Sequence, residues 1–219
     1  MTRVSPSMTR VKICGVRTVE DALACARAGA DAVGMIVNVG ISPRSINIEQ
    51  ARTIVSSLPP FVTPVIVMMP SSAEDVVEAG RRIRPGAIQL HGEETPEMLR
   101  LIKRQLPWAR LIKTIHVGSG DEVVKARSYE GTADAILLDT LSPSRGGSGA
   151  VHDWTVSAGI VREAGLPVLL AGGLTPSNVA DAIRAARPFA VDASSGVENG
   201  ERRKDIEKVR AFIGQARGV

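Results

Sequence analysis

The chain has 219 residues and a formal net charge of +4, with 44% hydrophobic but only 3% aromatic residues. That length suits one domain and sits near the lower end for a closed eight-fold barrel. The apolar share supports a continuous core, built from Val, Ile, Leu and Ala rather than from rings. No apolar run approaches the roughly 18 residues of a membrane span, and no signal-peptide pattern opens the chain. Without a basic block or aromatic surface, nucleic acid is not an expected partner. Two cysteines and three histidines cannot make a disulfide framework and are a poor metal inventory. A reducing, cytoplasmic setting is expected.

Met1-Thr2-Arg3-Val4 recurs as Met8-Thr9-Arg10-Val11. The repeat predicts an alternative start at Met8 and a disordered leader over residues 1–9, ahead of one barrel domain over 10–219. From there short β-branched runs alternate with amphipathic stretches. Strands are predicted at 11–14, 32–37, 64–69, 87–91, 110–116, 135–139, 167–171 and 189–194. Helices are predicted at 19–28, 48–58, 73–82, 96–105, 121–129, 155–164, 177–186 and 205–216. Ser71-Ser72, Thr95-Pro96 and Thr175-Pro176 supply capping hydroxyls or first-turn prolines. Eight strand–helix pairs point to an α/β fold, a single-domain (β/α)8 TIM barrel. An open doubly wound sheet is the alternative, but Cys14-Gly15-Val16-Arg17 is not its glycine-rich turn.

In such barrels chemistry sits at the C-terminal strand ends. The polar residues there are Cys14, His91, His116, Asp139, Asp192, Ser194 and Ser195. Lys12 and Gln89 lie two positions deeper on the faces of Cys14 and His91; they read as an internal network involving Asp192, with direct catalysis as the other reading. Cys25, among alanines in a helix, reads as packing. Asp139 caps a wholly apolar strand, where a carboxylate is expensive to bury unless paired or partly protonated, so it is a candidate acid. The segment 141–153 contains Gly146-Gly147-Ser148-Gly149 and reads as a flap over the mouth. Gly172 and Gly173 after strand seven, with Ser194, Ser195 and Gly196 after strand eight, are candidates for holding phosphate through close backbone approach. The same glycines also read simply as tight turns.

Six blocks then occur in one order: Val11-Lys12-Ile13-Cys14-Gly15, Gln89-Leu90-His91-Gly92, Leu137-Leu138-Asp139-Thr140, Gly146-Gly147-Ser148-Gly149, Ala171-Gly172-Gly173-Leu174 and Val191 through Glu198. Together they resemble the signature blocks of the phosphoribosylanthranilate isomerases. The resemblance implies a cofactor-free and metal-free Amadori rearrangement in tryptophan biosynthesis. It implies Cys14 as general base, Asp139 as general acid and Arg44 as the partner of an anthranilate carboxylate. His91, Asp192 and Gly147 are further expected substrate contacts. A base at Cys14 must ionise, so a neighbouring group is expected to lower its thiol pKa. The expected partner is a small phosphosugar, and the expected state is a monomer or weak homodimer. Other phosphosugar barrels, using two aspartates or a metal, and a catalytically silent binding barrel are the rival readings.

Overall fold

The structure is a computed structural model that describes residues 8–140 and 152–219. Among the described residues, nine parallel strands follow in order: β1 (Arg10–Ile13), β2 (Ala32–Val37), β3 (Ser45–Ile46), β4 (Thr63–Met68), β5 (Ala87–Leu90), β6 (Arg110–Val117), β7 (Ala135–Thr140), β8 (Val168–Leu170) and β9 (Ala190–Ala193). Eight of them run side by side, and β1 pairs with both β9 and β2, so the sheet closes into a barrel. The helices between them are α1 (Val19–Arg27), α2 (Ile48–Ser57), α3 (Ala73–Ile83), α4 (Pro96–Gln105), α5 (Glu122–Ser128), α6 (Trp154–Glu163), α7 (Val179–Ala186) and α8 (Ile206–Arg217). The expected (β/α)8 architecture is the one found. No helix among the described residues is long and apolar enough to cross a membrane.

Two apolar clusters follow from strand alternation. Ile136 and Leu138 join the large layer between sheet and helices, while Leu137 joins a small interior cluster with Val65, Ala87, Ile112 and Leu169. Each buried Leu or Ile contributes roughly 2 kcal/mol of hydrophobic stabilisation. The interior cluster fills the barrel's lower part, which leaves its C-terminal end to polar side chains.

Helix starts are chemically specified. Thr18, Asn47, Ser72 and Thr95 each accept a hydrogen bond from a first-turn N–H, and Asn47 and Ser72 form capping boxes with Gln50 and Asp75. Such a cap contributes about 1 kcal/mol. Thr175-Pro176 does not start a helix as expected. Asn178 Oδ1 accepts from the Thr175 N–H at 2.8 Å and its Nδ2 donates to the Gly173 carbonyl at 3.0 Å, so this turn delays α7 to Val179. The short β3, unanticipated in sequence, pairs Ser45 with Ile36 and gives Arg44 a fixed base. Of the expected leader, residues 1–7 lie outside the described residues. So does most of the expected flap, including Gly147. At its flanks, Thr140 Oγ1 and His152 Nδ1 stand 2.9 Å apart.

Candidate active site

The mouth has two walls. On the first, Asp139 lies two residues beyond Leu137 on β7 and so points into the barrel above the interior cluster. Its carboxylate accepts from the Thr140 N–H at 2.9 Å. Burial pushes its pKa up to about 6; the Thr140 N–H opposes that rise, the Asp192 charge adds to it and the Lys12 cation opposes it. His91 Nε2 stands 3.6 Å from Asp139 Oδ2. On the other side of the ring, Nδ1 lies 3.2 Å from Thr114 Oγ1 and 3.3 Å from Gln89 Nε2. The amide is a donor, so Nδ1 accepts and the proton of a neutral ring faces Asp139. His116 meets His91 edge-on at 5.1 Å. Ligand atoms of His91, His116 and Asp139 fall within 4.8 Å of one another, a spacing that a metal ion could bridge.

The second wall is built where the first and last strands meet. Cys14 follows β1 directly, and its N–H donates to the Ala193 carbonyl at 2.8 Å. A Cβ on Gly34 would stand 2.8 Å from its sulfur, so the bare backbone of β2 makes room for the thiol. Below it, buried Lys12 donates to Asp192 Oδ2 at 2.8 Å. That is the internal network expected of Lys12. Burial pushes the Cys14 thiol up, Lys12 pulls it down, Asp192 pushes it up again, and burial wins. The expectation of a lowered thiol pKa is thus corrected. Lys12 is the neighbour that favours the thiolate, but its charge is shared with Asp192.

Two acceptors are left over between these walls. Asp192 Oδ1 and Gln89 Oε1 are buried and find no hydrogen-bond partner among the described residues. Each is an oxygen ready to accept from a ligand.

Cys14, Asp139, Asp192, Gln89 and His91 line one pocket. Arg44 lines it as well, beside an apolar stretch of Ile36, Val39, Ile41 and Pro43. Sequence alone would leave Arg44 as a solvated loop cation. Here Glu198 holds it from two directions: Nε donates to Oε1 at 2.8 Å and Nη2 to Oε2 at 2.7 Å. Lys204, almost wholly buried, donates to the same Glu198 Oε1 at 2.7 Å and to the Ser194 carbonyl at 3.1 Å. Gly15 permits this crowding, for a Cβ there would lie 2.8 Å from both Arg44 Cδ and Ser194 Oγ.

Gly172, Gly173, Ser194, Ser195 and Gly196 line the same pocket. Gly172 and Gly173 have φ of +83° and +66°, and a Cβ on Gly172 would run into Thr140 Oγ1. A Cβ on Gly196 would run into the Leu174 carbonyl oxygen. The tight-turn reading therefore holds, and the same turns bring bare backbone to the pocket. Sequence reasoning assigned no role to Thr114, Glu198 or Lys204. Only Glu198 carried a signal, as the last residue of a recognised block.

Comparison with known proteins agrees with this geometry. The family model of N-(5'-phosphoribosyl)anthranilate (PRA) isomerase matches residues 11–215. An N-(5'-phosphoribosyl)anthranilate isomerase of Methanocella arvoryzae is 63% identical over 210 residues, covering 96% of this chain and 99% of that protein. The crystal structure of phosphoribosyl anthranilate isomerase from Thermotoga maritima superposes with a TM-score of 0.86 at 39% identity, covering 97% of this chain and 100% of that one. Another structure of such an enzyme, in complex with reduced 1-(o-carboxyphenylamino)-1-deoxyribulose 5-phosphate, gives 0.83 at 37% identity over 97% of this chain and 100% of that one. The chain is an isomerase and belongs to the N-(5'-phosphoribosyl)anthranilate isomerase family.

Proposed function

We propose that this protein converts N-(5-phosphoribosyl)anthranilate into 1-(2-carboxyphenylamino)-1-deoxyribulose 5-phosphate in cytoplasmic tryptophan biosynthesis, with Asp139 as acid and Cys14 as base. The observation that carries the assignment is the presence of both groups on one pocket, on separate strands, each with its pKa pushed up by burial. Asp139, in its protonated form, delivers a proton to the ribose ring oxygen, and the C1–oxygen bond breaks. The anthranilate nitrogen then carries an iminium, which acidifies the neighbouring C2 hydrogen. The Cys14 thiolate takes that proton, and the resulting enolamine tautomerises to the ketone. The substrate brings its own electron sink, so the chemistry calls for neither metal nor organic cofactor.

The productive form needs Asp139 protonated and Cys14 ionised. Asp139 is mostly ionised above its value of about 6, and burial holds the Cys14 thiol up, so that pairing is a minority at neutral pH. Lys12 favours it by stabilising the thiolate, and the iminium adds a second cation beside the sulfur once the ring opens. Arg44, with the apolar wall of Ile36 and Val39 beside it, receives the aryl carboxylate. The orphan oxygens of Asp192 and Gln89 suit sugar hydroxyls, which are donors. His91, with Nε2 3.6 Å from Oδ2, helps to orient the Asp139 carboxyl. Backbone at Gly172, Gly173, Ser194, Ser195 and Gly196 holds the phosphate, and Gly147 is a further substrate contact. The working unit is a monomer or weak homodimer, which sedimentation velocity would resolve.

The anthranilate moiety is fluorescent, so turnover can be followed directly. Cys14→Ala and Asp139→Asn are each expected to lower kcat/KM by at least about 10²-fold. Near-wild-type rates in either variant would remove that residue from the mechanism.

A further inference from the structure

We infer that Glu198, buttressed by Lys204, is a positioning residue that fixes Arg44 for an aryl carboxylate and thereby sets the preference for carboxylated arylamine substrates. This rests on the proposed reaction for the identity of the ligand, and on geometry for everything else. A guanidinium presents two donor edges. Glu198 takes the Nε–Nη2 edge of Arg44 with bonds of 2.8 and 2.7 Å, which leaves the Nη1–Nη2 edge to meet a second carboxylate. Arg44 projects from the loop before β3 and would otherwise sample many rotamers, all lost on binding.

Charge explains why the clamp is a trio. An Arg44–Glu198 pair alone would be neutral and a poor attractant for an anion. The buried Lys204 ammonium, 2.7 Å from Glu198, returns one net positive charge to the group. Burial works to raise the Glu198 carboxyl, yet Arg44 and Lys204 together bring it below its ordinary value, so it is a carboxylate at neutral pH. Lys204 also donates to the Ser194 carbonyl, so one ammonium joins the arginine clamp to the backbone at the end of β9. The arginine's place is thereby referenced to the adjacent end of the last barrel strand.

Positioning and simple electrostatics predict opposite signs. Glu198→Gln leaves two cations and no anion, so charge alone would strengthen binding of a carboxylate. Loss of positioning would weaken it. Calorimetry should compare reduced 1-(2-carboxyphenylamino)-1-deoxyribulose 5-phosphate with its phenylamino counterpart, which lacks the carboxylate. These are equilibrium measurements, independent of whether the enzyme turns over, so failure of the proposed reaction shows separately in the turnover assay. Wild type is expected to prefer the carboxylated ligand. In Glu198→Gln that preference should fall about tenfold, with affinity for the phenylamino ligand nearly unchanged, and Glu198→Asp should restore part of it. The Glu198→Gln/Lys204→Met double variant, which leaves no buried unpaired ammonium, guards against misfolding and should lose the preference equally. Stronger carboxylate binding in Glu198→Gln, equal weakening for both ligands, or no preference in wild type would each overturn the inference.

Discussion

The two walls of the mouth treat a buried acidic group in different ways. Asp139 sits at the end of an apolar run, with a backbone N–H and a histidine 3.6 Å away, and, among the described residues, no cation close enough to cancel its burial. Cys14 sits above a complete ion pair, Lys12 with Asp192, whose cation leans toward the thiolate and whose anion leans against it. Burial raises both groups, and the proposed mechanism puts them to opposite uses. In it, the proton retained by Asp139 is the reagent, while the one retained by Cys14 is an obstacle that Lys12 is placed to lower. A site of this kind needs its acid and base held in unequal surroundings, since a shared one would drive both toward the same protonation state.

Removing Lys12 should do the most damage to that contrast. Lys12→Met strands the Asp192 charge in the barrel and takes away the cation nearest Cys14. It should cost about 3–5 kcal/mol of folding stability, read by chemical denaturation. Replacing both members by a matched apolar pair should recover most of the stability and none of the activity.

The pH profile sharpens the comparison. With Asp139 protonated and Cys14 ionised as the active pairing, kcat/KM should be flat from about pH 6 up to the Cys14 pKa, the range over which loss of one proton and gain of the other cancel. Below that it should fall about tenfold per pH unit, because only the thiolate fraction still changes. In Asp139→Asn the break near pH 6 should vanish and the rising limb should continue toward the Cys14 pKa. A break that persists in Asp139→Asn would assign it to another group.

The smallest effect concerns stability. Asp139 has a folded pKa near 6, above its ordinary value of 3.8. Relative to the unfolded chain, the folded protein loses stability as pH rises from about 4 to about 6, and above that the loss is complete. Asp139→Asn should therefore be more stable than wild type at pH 7–8, by roughly 1–2 kcal/mol after allowing for solvent at the mouth, and nearly equal to it below pH 4. Thermal melts at the two pH values would show it. An unchanged difference across that range would mean the carboxyl titrates normally.

Much of this contrast was legible in the sequence because a strand has period two. Lys12 and Cys14, Gln89 and His91, Leu137 and Asp139 fall on shared faces by counting alone, and the barrel rule then puts the outer member of each pair at the mouth. The Lys12–Asp192 partnership was within reach for the same reason. What local reasoning could not reach is burial brought about by distant closure. Lys204 stands in Arg202-Arg203-Lys204-Asp205, which reads as a solvated charged turn, yet its side chain is 1% exposed because Glu198 and Ser194 fold back over it. Arg44 was named only through the resemblance, and its fixed placement was out of reach, since β3 is too short to leave a hydrophobic pattern and Glu198 lies 154 residues away. The direction of the Cys14 shift was missed because burial outweighs the pull of Lys12, whose charge Asp192 shares, a competition visible only in three dimensions.

The pairing of β1 with β9 has a consequence for how the protein comes into being. Lys12 and Asp192 are separated by 180 positions, so Cys14 keeps incomplete company until the final strand docks. A nascent chain that has made seven strands already owns Cys14 and Asp139, but neither the counter-charge of Lys12 nor the clamp from the C-terminal segment. Catalytic competence should therefore arrive last, in one step, when the ring is sealed.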